Sequence, residues 1–407
     1  MDTSVIGPVT VMESFIEQFG KHSAAVHGIL VSCILLCAAL GSLFAGRLAD
    51  RLGRPKAMAF GAAVFTVGII LEAAAVKLLM FAVGRVIEGL GYGLYFSTQT
   101  VYICEISPPK ARGPLTLGPQ FMTCMALVVG YFISYGTVNI PGSLSWRLPF
   151  IIIVVMAILY LFINLFVLPD QQEDREVDDP TTILSQSNPA REEMGQEANF
   201  QSLWTPDVRK QTFLAVFLLG FLQLCGIDAF LYYAPLIFQQ AGLESQEASF
   251  LASGVSAIAI VATNIPATLL ADKWGRRTST VLVVGWSSCL SISTALCRPR
   301  PRVWAPKIQP QHTRAQAISL GYGANWVCNF FVAFVCPILL DKSVPSAYLL
   351  FGGCTAAATI VSFFYMVETK GKTLAEIERA FKTRIPVASA AIPMARMVHA
   401  DHEVKAV

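Results

Sequence analysis

Gly41-Ser-Leu-Phe-Ala-Gly-Arg-Leu-Ala-Asp50-Arg51-Leu-Gly53-Arg54 returns in altered form as Asn264-Ile-Pro-Ala-Thr-Leu-Leu-Ala-Asp272-Lys-Trp-Gly275-Arg276-Arg277. Each copy is an apolar helix that runs into Asp-x-x-Gly-Arg and is followed by a second apolar run. Arg and Lys crowd the turn, and a basic turn between two long apolar helices marks the cytoplasmic side of a membrane. The copies lie about 220 residues apart, which predicts a membrane protein built from two similar halves.

Composition supports that reading. Of 407 residues, 54% are hydrophobic and 14% charged, against about 25% charged in a soluble domain. Mean hydropathy is +0.57. The apolar runs are long and continuous rather than short and alternating, so an all-α polytopic protein is expected and not a β-barrel. The net charge of +3 carries little information, because Lys and Arg mostly mark loops. All ten Cys lie in or beside apolar runs, and none has metal-ligand spacing with a His nearby, so no metal and no cofactor are expected. Residues 1–20 carry Asp2, Glu13 and Glu17 and no apolar core, so no cleavable signal peptide is expected.

Hydropathy divides the chain as follows. Residues 1–27 read as a loop-like N-terminal remnant and first external loop. An N-terminal bundle covers 28–168, with spans at 28–48, 57–76, 78–103, 115–137 and 148–168. Gly84, Gly89, Gly91 and Gly93 in the third span let helices approach closely. Residues 169–210, rich in Asp and Glu with Pro and Ser between, read as a solvated cytoplasmic linker. A C-terminal bundle covers 211–367, with spans at 211–236, 248–271, 278–297, 317–340 and 346–367. Residues 368–407 form a cytoplasmic tail. Ten spans leave an inconsistency: with Arg47–Lys56 inside, the Arg298–Arg314 stretch and the basic tail would both fall outside, against the positive-inside rule. A helix missing near 298–314 would remove it.

Several motifs then converge. Gly46-Arg47-x-x-Asp50-x-x-Gly53-Arg54, Arg85, Glu105-x-x-Pro108 with Arg112-Gly113, Asp272-x-x-Gly275-Arg276-Arg277 and Glu368-Thr-Lys370-Gly371-Lys372 resemble the sugar porter branch of the major facilitator superfamily. Gly226-Ile-Asp228-x-x-x-Tyr232-Tyr233-Ala-Pro235 resembles its seventh helix, in the style of fungal members. The resemblance covers about residues 1–380. It implies the major facilitator fold, with twelve helices in two pseudo-symmetric bundles, of which about ten are present here. The first and tenth helices are expected to be missing. The function implied is secondary active transport of a sugar or sugar-like solute, by proton symport and alternating access, in the plasma membrane. The partners implied are the solute, a proton and the bilayer; a monomer is expected, and no nucleic acid.

The resemblance also carries roles onto residues. Gln120, Gln223, Asn325 and Asn329 match the family's sugar-contacting amides, which suit hydroxyls because each amide donates and accepts. Buried amides also join helices to one another, and that alternative stays open. Leu222, Ile260 and Asp228 depart from the family pattern, where Gln, Asn and Asn are usual. Asp228 is therefore a further candidate substrate contact. Asp2 and Arg85 match the family's proton-coupling pair, with Glu88 three residues from Arg85 and able to neutralise it instead. Because Asp2 stands at the start of a chain whose first helix is expected to be absent, nothing is expected to hold it at depth. Glu72 reads as a surface residue near a helix end, close to Lys77. Asp50, Arg54, Glu105, Arg112, Asp272, Arg276 and Arg277 match a cytoplasmic inter-bundle gate. Setting topology is the plainer role for those charges.

Other readings remain at this point: a carrier of a non-sugar metabolite such as an organic acid or secondary metabolite, a nutrient sensor, and an inactive truncated transporter. No enzyme is expected, since no nucleophile–base pair or metal cluster is visible and the five His are scattered.

Overall fold

The computed structural model describes residues 1–107, 112–168, 204, 209–240, 242, 245–274, 314–342 and 344–365. Its helices run in the order α1 (Asp2–Val11), α2 (Glu13–Phe19), α3 (Ala24–Leu52), α4 (Arg54–Ala73), α5 (Leu78–Ile106), α6 (Arg112–Thr137), α7 (Leu144–Phe166), α8 (Arg209–Leu224), α9 (Ile227–Gln240), α10 (Gln246–Trp274), α11 (Arg314–Lys342) and α12 (Val344–Tyr365). Among the described residues there is no strand. The spans expected at 28–48, 57–76, 78–103, 115–137, 148–168, 248–271, 317–340 and 346–367 fall on α3, α4, α5, α6, α7, α10, α11 and α12. The span at 278–297, the helix expected to be missing near 298–314 and the tail lie outside the described residues. Among the described helices, α3, α4, α7, Leu78–Ile103 of α5 and Leu320–Lys342 of α11 are long and apolar enough to cross a membrane. Large apolar side chains cover their outer faces, including Phe44 of α3 and Val155, Phe162 and Phe166 of α7, as lipid contact requires.

The motif turn is built as its residues dictate. Gly53 sits between α3 and α4 at φ +84°, a left-handed value that favours glycine. Pro55 occupies the first turn of α4, where its missing N–H costs nothing. Arg54 folds back to Asp50 at 3.1 Å and donates to the Ala49 carbonyl at 3.2 Å, filling an acceptor left open at the end of α3.

Residues 1–27 differ from the expected loop. They hold α1 and α2, and Val5, Ile6, Val9, Met12 and Phe15 are buried in the main core. From Ser4 to Thr10 every residue of α1 is buried. A helix buried on all sides has no polar face, so amphipathic periodicity cannot reveal it, and the ten residues of α1 are too few to register as a span. α1 lies between α6 and α9: a Cβ added to Gly7 would stand 2.0 Å from the Tyr232 carbonyl oxygen, and one added to Gly130 would stand 2.0 Å from Ser4 Oγ. α2 is fixed by an aromatic cluster. The Phe15 ring meets Trp146 and Phe81 edge-on, each at 5.6 Å. Trp146 Nε1 donates to Gln18 at 3.2 Å, and Arg147 donates to the Ala73 and Ala75 carbonyls that close α4.

The expected single span at 211–236 is also different, being broken into α8 and α9. Gly226 lies at the break with φ +79°. α9 bends again at Tyr233, two residues before Pro235. A proline frees the carbonyl four residues earlier, here Leu231, and the Tyr131 hydroxyl of α6 donates to it. Pro337 in α11 frees Ala333 in the same way, and the Tyr233 hydroxyl donates to that carbonyl at 2.8 Å. Two tyrosines thus satisfy two carbonyls that would otherwise be orphaned in a lipid-embedded core.

Candidate transport site

One face of α5 organises the site. Arg85, Glu88, Tyr92, Phe96, Gln99 and Ile103 follow one another at three- and four-residue steps, so they share a face. Its lower part lines a cavity of about 760 Å³ that also takes in parts of α1, α3, α4, α6, α7, α9 and α11. Its upper part holds a buried charge cluster. The close approach of α4 that this needs comes from small residues: a Cβ on Gly68 would lie 2.4 Å from the Glu88 nitrogen, and one on Gly84 would lie 2.7 Å from Glu72 Cγ.

In the cluster, Arg85 Nη1 donates to Asp2 Oδ2 at 2.8 Å and to Glu88 Oε2 at 3.1 Å. Its Nε stands 3.7 Å from Glu72 Oε2. Arg85, Glu72 and Glu88 are fully buried, and Asp2 is 15% exposed. Two expectations are corrected here. Glu72 is not a surface residue, because Gly84 leaves it room beneath the neighbouring helix. Asp2 is held at depth by α1, and it bonds Arg85 together with Glu88 rather than being replaced by it. The carboxylates of Asp2, Glu72 and Glu88 lie within 4.8 Å of one another, close enough to chelate a cation. The Arg85 guanidinium bonds two of them and already occupies that place. Asp2 also lines the cavity, whereas Arg85, Glu72 and Glu88 do not, so Asp2 alone joins the two features.

The cavity wall is largely aromatic and aliphatic. Tyr92 and Trp326 bring α5 and α11 together, ring centroids 5.1 Å apart, and Phe96 adds contacts to Tyr322 and Trp326. Its polar points include Asp2, Gln99, Asp228 and Asn329. Asp228 lies in the first turn of α9, just past the Gly226 break, where the helix N-terminus favours a carboxylate. Asn329 Nδ2 donates to Asp228 Oδ2 at 2.7 Å. Gln223 and Asn325 are fully buried, make no side-chain hydrogen bond among the described residues and do not line the cavity. Gln120 is half-buried, directs Nε2 at Cys124 Sγ and does not line it either. Ile260 packs in an apolar cluster with Cys124, Leu127 and Leu231. Of the expected gate, Asp50 and Arg54 form the turn pair described above. The side chains of Glu105, Arg112 and Asp272, together with Arg276 and Arg277, lie outside the described residues.

Sequence reasoning missed Gln99, Tyr92, Trp326 and Tyr232 as wall residues and Glu72 as a cluster member. The helical spacing from Arg85 to Gln99 carried the signal for the α5 residues. Nothing in the sequence carried the signal for Glu72.

Discontinuous helices around a central cavity, a buried acid–guanidinium cluster beside it and long lipid-facing helices define a polytopic secondary transporter of the major facilitator type. The fold matches the inward-open xylose transporter XylE from E. coli with a TM-score of 0.73 at 21% identity, over 93% of this chain and 95% of that one. The family model "Sugar (and other) transporter" matches residues 1–301 and 298–381, and the chain belongs to that family. The high-affinity glucose transporter of Kluyveromyces lactis is 26% identical, over 91% of this chain and 80% of that protein. The arabinose-proton symporter of Bacillus subtilis is 27% identical, over 93% and 91%. These relatives are transporters, not enzymes, and the chain is an integral membrane transporter like them.

Proposed function

We propose that this chain is a proton-coupled symporter of a sugar or polyol-like solute in the plasma membrane, working as a monomer by alternating access. The observation that carries the reading is the double position of Asp2, at the cavity wall and on Arg85. Three acids face one guanidinium, and ionisable groups placed at membrane depth mark proton pathways. When Asp2 takes the proton its pair with Arg85 is released, and α1 is free to shift against α5. Solute in the cavity touches the same residue, so loading and protonation are linked. The cytoplasmic charges Asp50, Arg54, Glu105, Arg112, Asp272, Arg276 and Arg277 form the gate that opens and closes the inner end. Asp228 and Asn329 contact the solute directly, while Gln120, Gln223 and Asn325 complete the polar site as the bundles rock.

The reading is supported by the relationship to an arabinose-proton symporter and by the cavity reaching Ile106, Ser107 and Leu115, at the end that the basic turns assign to the cytoplasm. It is tested by Asp2→Asn in reconstituted vesicles. The variant is expected to exchange labelled solute at equal pH but to lose gradient-driven accumulation. Accumulation that survives in Asp2→Asn refutes the coupling role.

A further inference from the structure

We propose that the transported solute carries an ammonium group, as an amino sugar or amino polyol does, and that Asp228 with Asn329 is its seat. This rests on the transporter reading above and names the solute class within it. The first observation is the polarity of the pair. A carboxylate only accepts hydrogen bonds, so the 2.7 Å contact fixes the Asn329 amide with its NH2 toward Asp228. That leaves Asn329 Oδ1 as the free end, and it is buried with no hydrogen-bond partner among the described residues. Asp228 is 7% exposed and Asn329 2%, and both line the cavity. The pair therefore presents acceptors only: a carboxylate and an amide oxygen. A neutral hydroxyl meets half of what such a site offers, whereas an ammonium brings three donors and the opposite charge.

The second observation is the rest of the wall. Among the described residues no Lys, Arg or His side chain lines the cavity, whereas Asp2 and Asp228 do. Tyr92, Phe96, Tyr232 and Trp326 supply aromatic faces, which attract cations. The third is the position of Asp228 in the first turn of α9, just past the break at Gly226, where the helix gives way to the cavity wall. The two wall carboxylates, Asp2 and Asp228, disfavour an anionic solute.

The test uses the full 407-residue chain in proteoliposomes and two matched pairs: D-glucosamine against D-glucose, and 1-amino-1-deoxy-D-glucitol against D-glucitol. In at least one pair the amine is expected to be transported with a kcat/KM about tenfold or more above its neutral partner, the scale of one charge-assisted hydrogen bond. Asp228→Asn is expected to bring that ratio to within about threefold, since an amide replaces the charge. A wild-type chain that favours the neutral partner in both pairs overturns the proposal and leaves the transporter reading standing. A ratio unchanged in Asp228→Asn also overturns it. Failure of both amines to enter overturns the proposal, and entry of a neutral partner in the same vesicles leaves the transporter reading standing. The wild-type ratio needs no variant, so a poorly folding Asp228→Asn does not rescue the idea.

Discussion

Arg85 is the residue on which the charged interior depends. It is the guanidinium facing Asp2, Glu72 and Glu88, and its ring neighbour is Phe81, 5.8 Å from the guanidinium carbon. Removing one partner from a buried charged set leaves the others uncompensated, typically at a cost of about 3–5 kcal/mol. Arg85→Ala is therefore expected to lower the thermal unfolding temperature of the detergent-solubilised protein and to abolish proton-driven uptake. The sign with pH is fixed: protonation discharges the three acids, so the stability deficit of Arg85→Ala shrinks as pH falls. A deficit that grows toward acid pH contradicts the assignment. Asp2 and Arg85 were legible as a pair from the family resemblance, and Glu88 from its spacing. Glu72 was not legible. Its burial follows from an interhelical distance that Gly84 and Gly68 set, and no local pattern around Glu72 encodes that distance.

At the scale of elements, the prolines and tyrosines explain why bent helices are tolerated. Tyr131 bonds the carbonyl that Pro235 frees, and Tyr233 bonds the one that Pro337 frees. Leaving a buried carbonyl unsatisfied costs about 1–3 kcal/mol, so Tyr131→Phe and Tyr233→Phe are each expected to destabilise the protein on that scale. In a Pro235→Ala background, where the helical N–H returns, Tyr131→Phe is expected to cost clearly less; a double-mutant cycle on unfolding temperatures gives the answer, and strict additivity would count against the pairing. Packing gives a second expectation. Gly7→Ala places a methyl group 2.0 Å from the Tyr232 carbonyl, whereas Gly118→Ala meets nothing within 4 Å. The first should sharply reduce folded protein in size-exclusion profiles and the second should not. Most long helices were legible, because an apolar run of about twenty residues has few alternatives. α1 and α2 were not, because short helices buried by their neighbours lack both length and an amphipathic face. The break at Gly226 was not legible either: Gly and Pro are frequent in membrane helices, and only the tertiary setting decides which of them interrupts one.

Across the whole molecule, the basic turn at Asp50–Arg54 fixes which end of each helix faces the cytoplasm, and the cavity runs from Asp2 toward that end. Seen this way, α1 is the element through which both bundles are sensed. It touches α9 through Gly7 and Tyr232, touches α6 through Ser4 and Gly130, and carries the acid that holds Arg85. The candidate site was legible as a set of residue types but not as an arrangement. The sequence grouped five amide or acid positions, and the structure brings Asp228 and Asn329 together at the wall while Gln120, Gln223 and Asn325 stay off it in this state. Coupling through Asp2 is most directly tested by solute uptake into proteoliposomes of the wild-type chain and of Asp2→Asn, with the outside acidified. The wild type is predicted to accumulate solute above the external concentration, to lose that accumulation when a protonophore collapses the gradient, and to differ in this from Asp2→Asn. Uptake that is indifferent to the gradient, or identical in the two proteins, would contradict the account.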